Sequence, residues 1–250
     1  MTTPLILKGT NAPAGGYALA PDAALVVLDD SDAFVLDMAG AFHAVTPIGA
    51  LMLRRTLEAG PDAAAEEIAA TYGAEPARVR RDLQHLLDDM TARGMLRGPG
   101  APAPRPQRAL AAGMLALLAA LALRVVPAPP LRAAALLLLA RCSFARCGWT
   151  APFAAWKARL QGPAADAVAD AAAIDRLVRA VAPRLWLGVD CKERALTCWT
   201  MAQQAGLSAV LVVGIRPHPL SAHCWCETAT RIISDERVNC ARYLPVFAYR

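Results

Sequence analysis

The sequence has few of the features that mark a secreted or a nucleic-acid-binding chain. Its seven cysteines are an odd number at irregular spacings, and no basic flank followed by an apolar core opens the chain, so a disulfide scaffold is not expected. The net charge is +5, but no Lys and Arg run with interleaved aromatics occurs, which argues against a nucleic-acid partner. We therefore expect a reduced, cytoplasmic protein.

The uncharged runs are also short. Ala109–Leu123 carries no charge over fifteen residues, and Ala133–Ala140 is a second apolar run. A membrane span needs about 20 residues, so neither run is expected to cross a bilayer. Two interpretations stay open for this region, namely helices packed against one another and peripheral contact with a membrane.

What the sequence does contain is enough apolar material for two folded units. Of its 250 residues, 56% are hydrophobic, and four prolines and two glycines fall within Gly98–Gln107, which favours an extended spacer. Residues 1–98 carry 8 basic and 13 acidic side chains, net −5, and the other 152 carry 18 and 8, net +10. We predict a domain at 1–98, a linker at 99–108 and a second domain at 109–250, with an apolar helical lead-in at 109–150.

The first domain has the pattern of a small sheet followed by helices. Turn-forming residues at Asp29–Asp32 and Ala39-Gly40 separate β-prone runs, and Thr46-Pro47 is typical of a helix start. The prediction is α+β, a winged-helix-like module with a three-stranded antiparallel sheet (Tyr17–Val27, Ala33–Met38, Ala41–Val45) and three helices (from Thr46, Asp62–Tyr72, Glu75–Arg93).

The second domain is predicted as helices packed on an antiparallel sheet. Asp190 and Glu193 have capping-box spacing, which places Cys191 on the first turn of a helix that ends before Gly206. Hydrophobic periodicity predicts a helix over Pro163–Val181 and strands at Ser208–Ile215, Ala222–Thr228 and Arg231–Ser234.

A cysteine, a histidine and an aspartate form the candidate catalytic set. The positive end of the helix dipole favours a Cys191 thiolate, His223 can exchange its proton, and Asp235 can orient the imidazole. In an extended strand His223 lies on the face opposite Cys224 and Cys226, which argues against a zinc site there. No cofactor is expected.

Three segments of the second domain resemble the transglutaminase-like B proteins of lasso peptide biosynthesis: Cys191–Leu196, Gly206–Arg216 and Pro219–Glu227. That family has a Cys followed by an Arg-Ala-Leu helix, a strand ending in Gly-Val-Arg, and an Ala-His-Ala-Trp-Val-Glu strand before an Asp. Cys191, His223 and Asp235 fall on its triad positions. The resemblance implies a papain/transglutaminase-like fold and a cysteine peptidase.

The first domain resembles a recognition element of ribosomally synthesised and modified peptides (RiPPs), of the pyrroloquinoline-quinone biosynthesis D type. The resemblance covers Ala33–Met38, Phe42–Gly49 and Ala64–Tyr72. It implies that the leader of a precursor peptide adds as a strand to the sheet beside the third helix. The expected leader contacts are Val35, Leu36, Asp37, Met38, Arg80, Arg81 and Gln84.

Together these resemblances imply a leader peptidase of lasso peptide maturation. Its partners would be the precursor leader and a separate asparagine-synthetase-like lasso cyclase, which joins the freed core amine to an acidic side chain. Three alternatives stay open: an acyltransferase in which an amine resolves the thioester, a non-catalytic leader-binding chaperone for the cyclase, and a membrane-associated peptidase.

Overall fold

The computed structural model describes residues 5–9, 16–28, 33–37, 41–101, 106–159 and 170–250. The chain divides into two compact units, Met1–Pro104 and Arg105–Arg250, and this division falls within the proline-rich stretch. A helix begins at Pro106, inside the predicted linker, because proline is well tolerated at the first helical position. The predicted turns Asp29–Asp32 and Ala39-Gly40 lie outside the described residues, as does Met38.

The first unit contains an antiparallel sheet with the strand order β1-β3-β4-β5. The predicted sheet had three strands, and this count is corrected to four because Leu5–Lys8 pairs with Ala23–Val27. The predicted strand Tyr17–Val27 is broken by a turn at Pro21-Asp22, and its first part forms a separate two-stranded ribbon, β2-β6. The strands are β1 (Leu5–Lys8), β2 (Ala18–Leu19), β3 (Ala23–Val27), β4 (Ala33–Asp37), β5 (Ala41–Val45) and β6 (Leu96–Arg97).

Three helices cover this sheet, as predicted. They are α1 (Pro47–Ala59), α2 (Pro61–Tyr72) and α3 (Pro76–Ala92). Thr46 caps α1, since its hydroxyl accepts the N–H of Gly49 at 3.1 Å. Apolar residues at helical spacing on α3 pack on the inner face of the sheet, so the α+β class is confirmed; the core includes Leu25, Val35, Leu53, Ile68, Leu83 and Leu87.

The second unit packs helices on another antiparallel sheet, with the order β10-β7-β8-β9. The elements are α4 (Pro106–Val125), α5 (Pro129–Cys147), α6 (Thr150–Arg159), α7 (Ala171–Val181), α8 (Cys191–Gln204), β7 (Ala209–Arg216), β8 (Ser221–Thr228), β9 (Ile232–Ile233), α9 (Arg237–Cys240) and β10 (Leu244–Tyr249). The three predicted strands and the helix from Cys191 are confirmed, whereas α9 and β10 were not predicted. Residues 160–169, where we predicted the start of the helix that ends at Val181, lie outside the described part of the chain.

Helix α4 is longer than the uncharged run from which its length was predicted. Arg108 and Arg124 extend the run into a helix of 20 residues, because arginine is a good helix former. Within the described residues, Gln107–Val125 is long and apolar enough to cross a membrane by length and composition. The same helix packs on α5 and α6 through one side.

Candidate active site and recognition surface

Cys191 begins α8, and the residues around it hold the helix start in place. Asp190 is extended (φ −88°, ψ 178°), and its N–H donates to Glu193 Oε2 at 2.9 Å. The Glu193 side chain is 1% exposed, and Arg141 of α5 lies 3.7 Å from its other oxygen. The cap predicted from the sequence is therefore formed, and it places the half-buried Cys191 on the first turn.

Strand β8 alternates as predicted. His223 and Trp225 share a face, with ring centroids 5.9 Å apart, and Trp225 Nε1 donates to Glu227 Oε1 at 2.6 Å. Cys224 and Cys226 are buried on the opposite face. The imidazole is thus separated from these two thiols, and the seven cysteines are all free.

The outer edge of β8 brings the thiol and the imidazole together. Cys226 N–H donates to Ser234 Oγ at 3.2 Å, so the N–H of Cys224, two residues earlier, points the same way. The Cys224 N–H donates to the Cys191 sulfur. Because this N–H belongs to the peptide that joins His223 to Cys224, the sulfur lies beside the residue that carries the imidazole.

Asp235 completes the set, since its Oδ2 lies 2.8 Å from His223 Nε2. Its other oxygen accepts the Glu236 N–H at 2.6 Å and Asn239 Nδ2 at 3.0 Å. Burial raises the pKa of Asp235, but these hydrogen bonds and the charges of His223 and Arg194 outweigh it and leave that pKa below its usual value. An ionised Asp235 at this distance favours a proton on Nε2 of the imidazole.

The pKa shifts of Cys191 and His223 oppose the thiolate that the helix dipole would favour. Burial raises the pKa of Cys191, and the Cys224 N–H and the charge of Arg194 offset only part of this effect. Burial also lowers the pKa of His223, against the opposing effect of Asp235. Desolvation is the largest influence on both groups, and both shifts favour a neutral thiol and a neutral imidazole.

Arg194 is a site residue that the triad reasoning missed. It follows Cys191 by three residues and so shares its side of α8, and its Nη2 lies 3.8 Å from Asp235 Oδ2. Asn239 was missed as well, because it lies on the unpredicted α9. The sequence contained a signal only for Arg194, because its spacing of three residues from Cys191 places both on one side of a helix.

A strained residue precedes Asp235. Ser234 has φ +82° and is 2% exposed, and its N–H donates to Asp175 Oδ1 at 2.8 Å. Asp175 lies on α7 and also accepts Arg179 Nε at 2.8 Å. Left-handed backbone is unfavourable for serine, so these bonds hold the turn that aims Asp235 at the imidazole.

In the first unit, the strand that was expected to contact the peptide lies inside the sheet. Val35 and Leu36 are 1% and 0% exposed and lie on β4, whose two edges are paired with β3 and β5. This corrects the expectation that they contact a peptide; Asp37 is half-buried on the same strand. Strand β5 ends the sheet order, so its outer edge is the one available beside α3.

The expected contacts on α3 are all exposed, and two of them have partners within the first unit. Arg80 pairs with Glu66 of α2 at 3.3 Å, and Gln84 donates along the helix to Asp88; Arg81 is exposed. The side next to β5 instead carries Arg93.

Arg93 links α3 to β5. Its Nη1 lies 3.2 Å from His43 Nδ1, and its Nε donates to Asp89 at 2.8 Å. Leu86, on the same side of α3, lies close to Gly49 at the start of α1. Gly49 and Leu86 also line an open cavity of about 590 Å³, together with Ile48, Met52, Tyr72, Arg78 and Val79 among others.

Within the described residues, no three His, Cys, Asp or Glu side chains are grouped to hold a metal ion. Of the remaining cysteines, Cys198 and Cys240 are buried and Cys147 packs in the core beside a half-buried Cys142.

Two family models match the chain. The model described as Coenzyme PQQ synthesis protein D (PqqD) matches residues 24–96, and the Transglutaminase-like superfamily model matches residues 134–248. No curated protein and no solved structure gives a match. The chain therefore joins a PqqD-type RiPP recognition element to a transglutaminase-like domain, which is the architecture of the fused B proteins of lasso peptide biosynthesis.

Proposed function

We propose that the chain is a leader peptidase of lasso peptide maturation, acting in the cytoplasm, with Cys191, His223 and Asp235 as its catalytic triad. The observation that carries this proposal is the edge of β8, where the Cys224 N–H meets the Cys191 sulfur and His223 Nε2 lies 2.8 Å from Asp235. Nucleophile, base and orienting acid are thereby arranged in series.

The chemistry follows from a neutral starting pair. The Cys191 proton passes to His223 Nδ1 as the sulfur bonds to the carbonyl carbon between leader and core. Backbone N–H groups at the start of α8 can stabilise the oxyanion. The imidazolium then gives its proton to the leaving core amine as the C–N bond breaks, which leaves a thioester on the sulfur.

Water completes the cycle. His223 takes a proton from the attacking water, the C–S bond breaks, and the leader carboxylate leaves while the thiol regains its proton. The freed core amine is the group that a lasso cyclase of the asparagine-synthetase-like type would join to an Asp or Glu side chain.

The recognition unit would select the substrate. A leader segment adds as a strand to the outer edge of β5, and its side chains enter the groove beside Leu86, Asp89 and Arg93 of α3. Since both units belong to one chain, binding of the leader raises the effective concentration of the scissile bond at Cys191.

A cleavage assay with a candidate lasso precursor peptide tests the catalytic half. Cys191→Ala should lower cleavage by about 10³-fold or more and leave leader affinity unchanged, because the thiol lies in the other unit. Cys142→Ala is the matched control, since this thiol is also half-buried and free. Persistent cleavage by Cys191→Ala would rule out the assigned nucleophile, and mass spectrometry of the products distinguishes hydrolysis from acyl transfer.

Fluorescence anisotropy with a labelled leader peptide tests the recognition half. Arg93→Ala should weaken binding by about fivefold, equivalent to about 1 kcal/mol, because it connects α3 to the β5 edge. Arg80→Ala, on the side of α3 that faces α2, should bind normally. Equal effects of the two substitutions would contradict the β5 groove.

A further inference from the structure

The exposed side of α4 is formed by six large aliphatic residues. Each is between 47% and 70% exposed, and their spacing of three and four residues places them on one side of the helix over roughly 22 Å. This leucine stripe consists of Leu110, Met114, Leu117, Leu118, Leu121 and Val125.

The inward side of α4 is made of small residues. Its fully buried positions are alanines, which let the helix lie close to α5 and α6; they are Ala112, Ala116 and Ala119 at 0% exposure, with Ala122 at 9%. A helix of a water-soluble fold normally buries its large apolar side chains instead. The leucine stripe therefore requires a partner outside the second unit's own core.

The segment that forms α4, α5 and α6 carries charge of one sign only. Residues 106–159 contain no Asp or Glu. Arg124 is exposed at the border of the stripe, and Arg108 is exposed at the opposite end of α4. The basic side chains of this segment are Arg108, Arg124, Arg132, Arg141, Arg146, Lys157 and Arg159; among them, Arg141 contacts Asp190 and Glu193.

We propose that α4 lies in the headgroup region of an anionic lipid membrane, with the leucine stripe inserted among the acyl chains. An exposed arginine at the border of an apolar helix side, in a segment without acidic residues, is complementary to anionic lipid in both respects. A helical protein partner would be selected by charges that flank the seam, and residues 109–123 carry none. The helix lies along the surface because its alanine side stays on α5 and α6.

Vesicle co-sedimentation of the full chain tests this proposal. We expect the protein to pellet with vesicles that contain phosphatidylglycerol and to remain largely in solution with phosphatidylcholine alone. Arg124→Gln should lower partitioning by about fivefold, since an arginine near an anionic surface contributes about 1 kcal/mol.

The stripe itself is tested by Leu117→Gln combined with Leu121→Gln, which should lower partitioning by about 100-fold or more, because each inserted leucine contributes about 1.5 kcal/mol or more. Leu5→Gln, at an exposed leucine of the first unit, is the matched control and should bind like the wild type. Unchanged melting of both variants, followed by circular dichroism, shows that the fold is retained. Cleavage in the absence of vesicles should also be unchanged, so this test does not depend on the proposed peptidase.

Three outcomes would overturn the proposal. If the wild type pelleted with neither vesicle, the stripe would have no affinity for lipid. Equal pelleting of the leucine variant would mean that charge alone binds the membrane. A dimer in sedimentation velocity that the leucine variant abolishes, without vesicle binding by the wild type, would assign the stripe to a second copy of the chain.

Discussion

Ser234 offers a test of backbone strain beside the candidate triad. Its φ of +82° is the one positive value at a non-glycine position in the described residues, and its hydroxyl accepts the N–H of the buried Cys226. Ser234→Ala removes the acceptor and keeps the strained backbone. Ser234→Gly removes the same acceptor but also relieves the strain, so the difference between the two variants isolates the backbone.

The expected difference follows from two opposing free energies. An L-residue in the left-handed region costs about 1–2 kcal/mol, which glycine avoids. Glycine loses more conformational entropy on folding, at a cost of about 0.5–1 kcal/mol relative to alanine. The Gly variant should therefore be more stable than the Ala variant by about 0.5–1 kcal/mol, and both should be less stable than the wild type because the buried Cys226 N–H loses its partner.

Guanidinium unfolding followed by tryptophan fluorescence measures this difference. All five tryptophans lie beyond residue 105, so the signal reports on the second unit alone. At an ordinary extended position alanine would be the more stable residue. An Ala variant as stable as the Gly variant, or more stable, would refute the reasoning that Ser234 is strained.

Four further predictions concern the same unit. Asp235→Asn removes the charge that raises the pKa of His223. The acid limb of the pH profile of precursor cleavage should lie below pH 6.5 in the wild type and lower still in the variant. The plateau value of kcat/KM should fall about 10⁴-fold in the variant. Asp175→Ala leaves the buried Ser234 N–H without its acceptor and should cost about 2 kcal/mol in guanidinium unfolding, whereas Asp175→Asn should restore most of the loss; equal losses would contradict this role. Gly214→Ala would place a Cβ 2.7 Å from an indole carbon and should destabilise the second unit by about 2 kcal/mol. Gly113→Ala, on a helix with open space around it, should stabilise it by about 1 kcal/mol, as measured by the same unfolding.

Features set by local sequence were predictable. The start of α8 follows from the spacing of Asp190 and Glu193, and the separation of His223 from Cys224 follows from the two-residue period of a strand. Their arrangement depends on interactions within or between adjacent elements. That is why the candidate triad could be proposed before any geometry was known.

Features set by strand order and distant contacts were not predictable. The burial of Val35 was not predicted, because the sequence of one strand does not give its position in the order of the sheet. Asp175 was missed because it lies 59 residues before the backbone group it accepts. The outward direction of Leu117 was missed because helical periodicity fixes which residues share a side, without fixing which side faces the core.

The neutral pair at the edge of β8 also bears on how the protein survives in a cell. Alkylating agents and peroxides react with thiolate rather than thiol, and burial disfavours the thiolate of Cys191. We therefore expect slow modification by iodoacetamide in the absence of precursor. A buried thiol of this kind reacts slowly until a peptide is bound beside it. Selectivity against other cellular carbonyls and oxidants would therefore come from binding of the substrate rather than from the intrinsic reactivity of the sulfur.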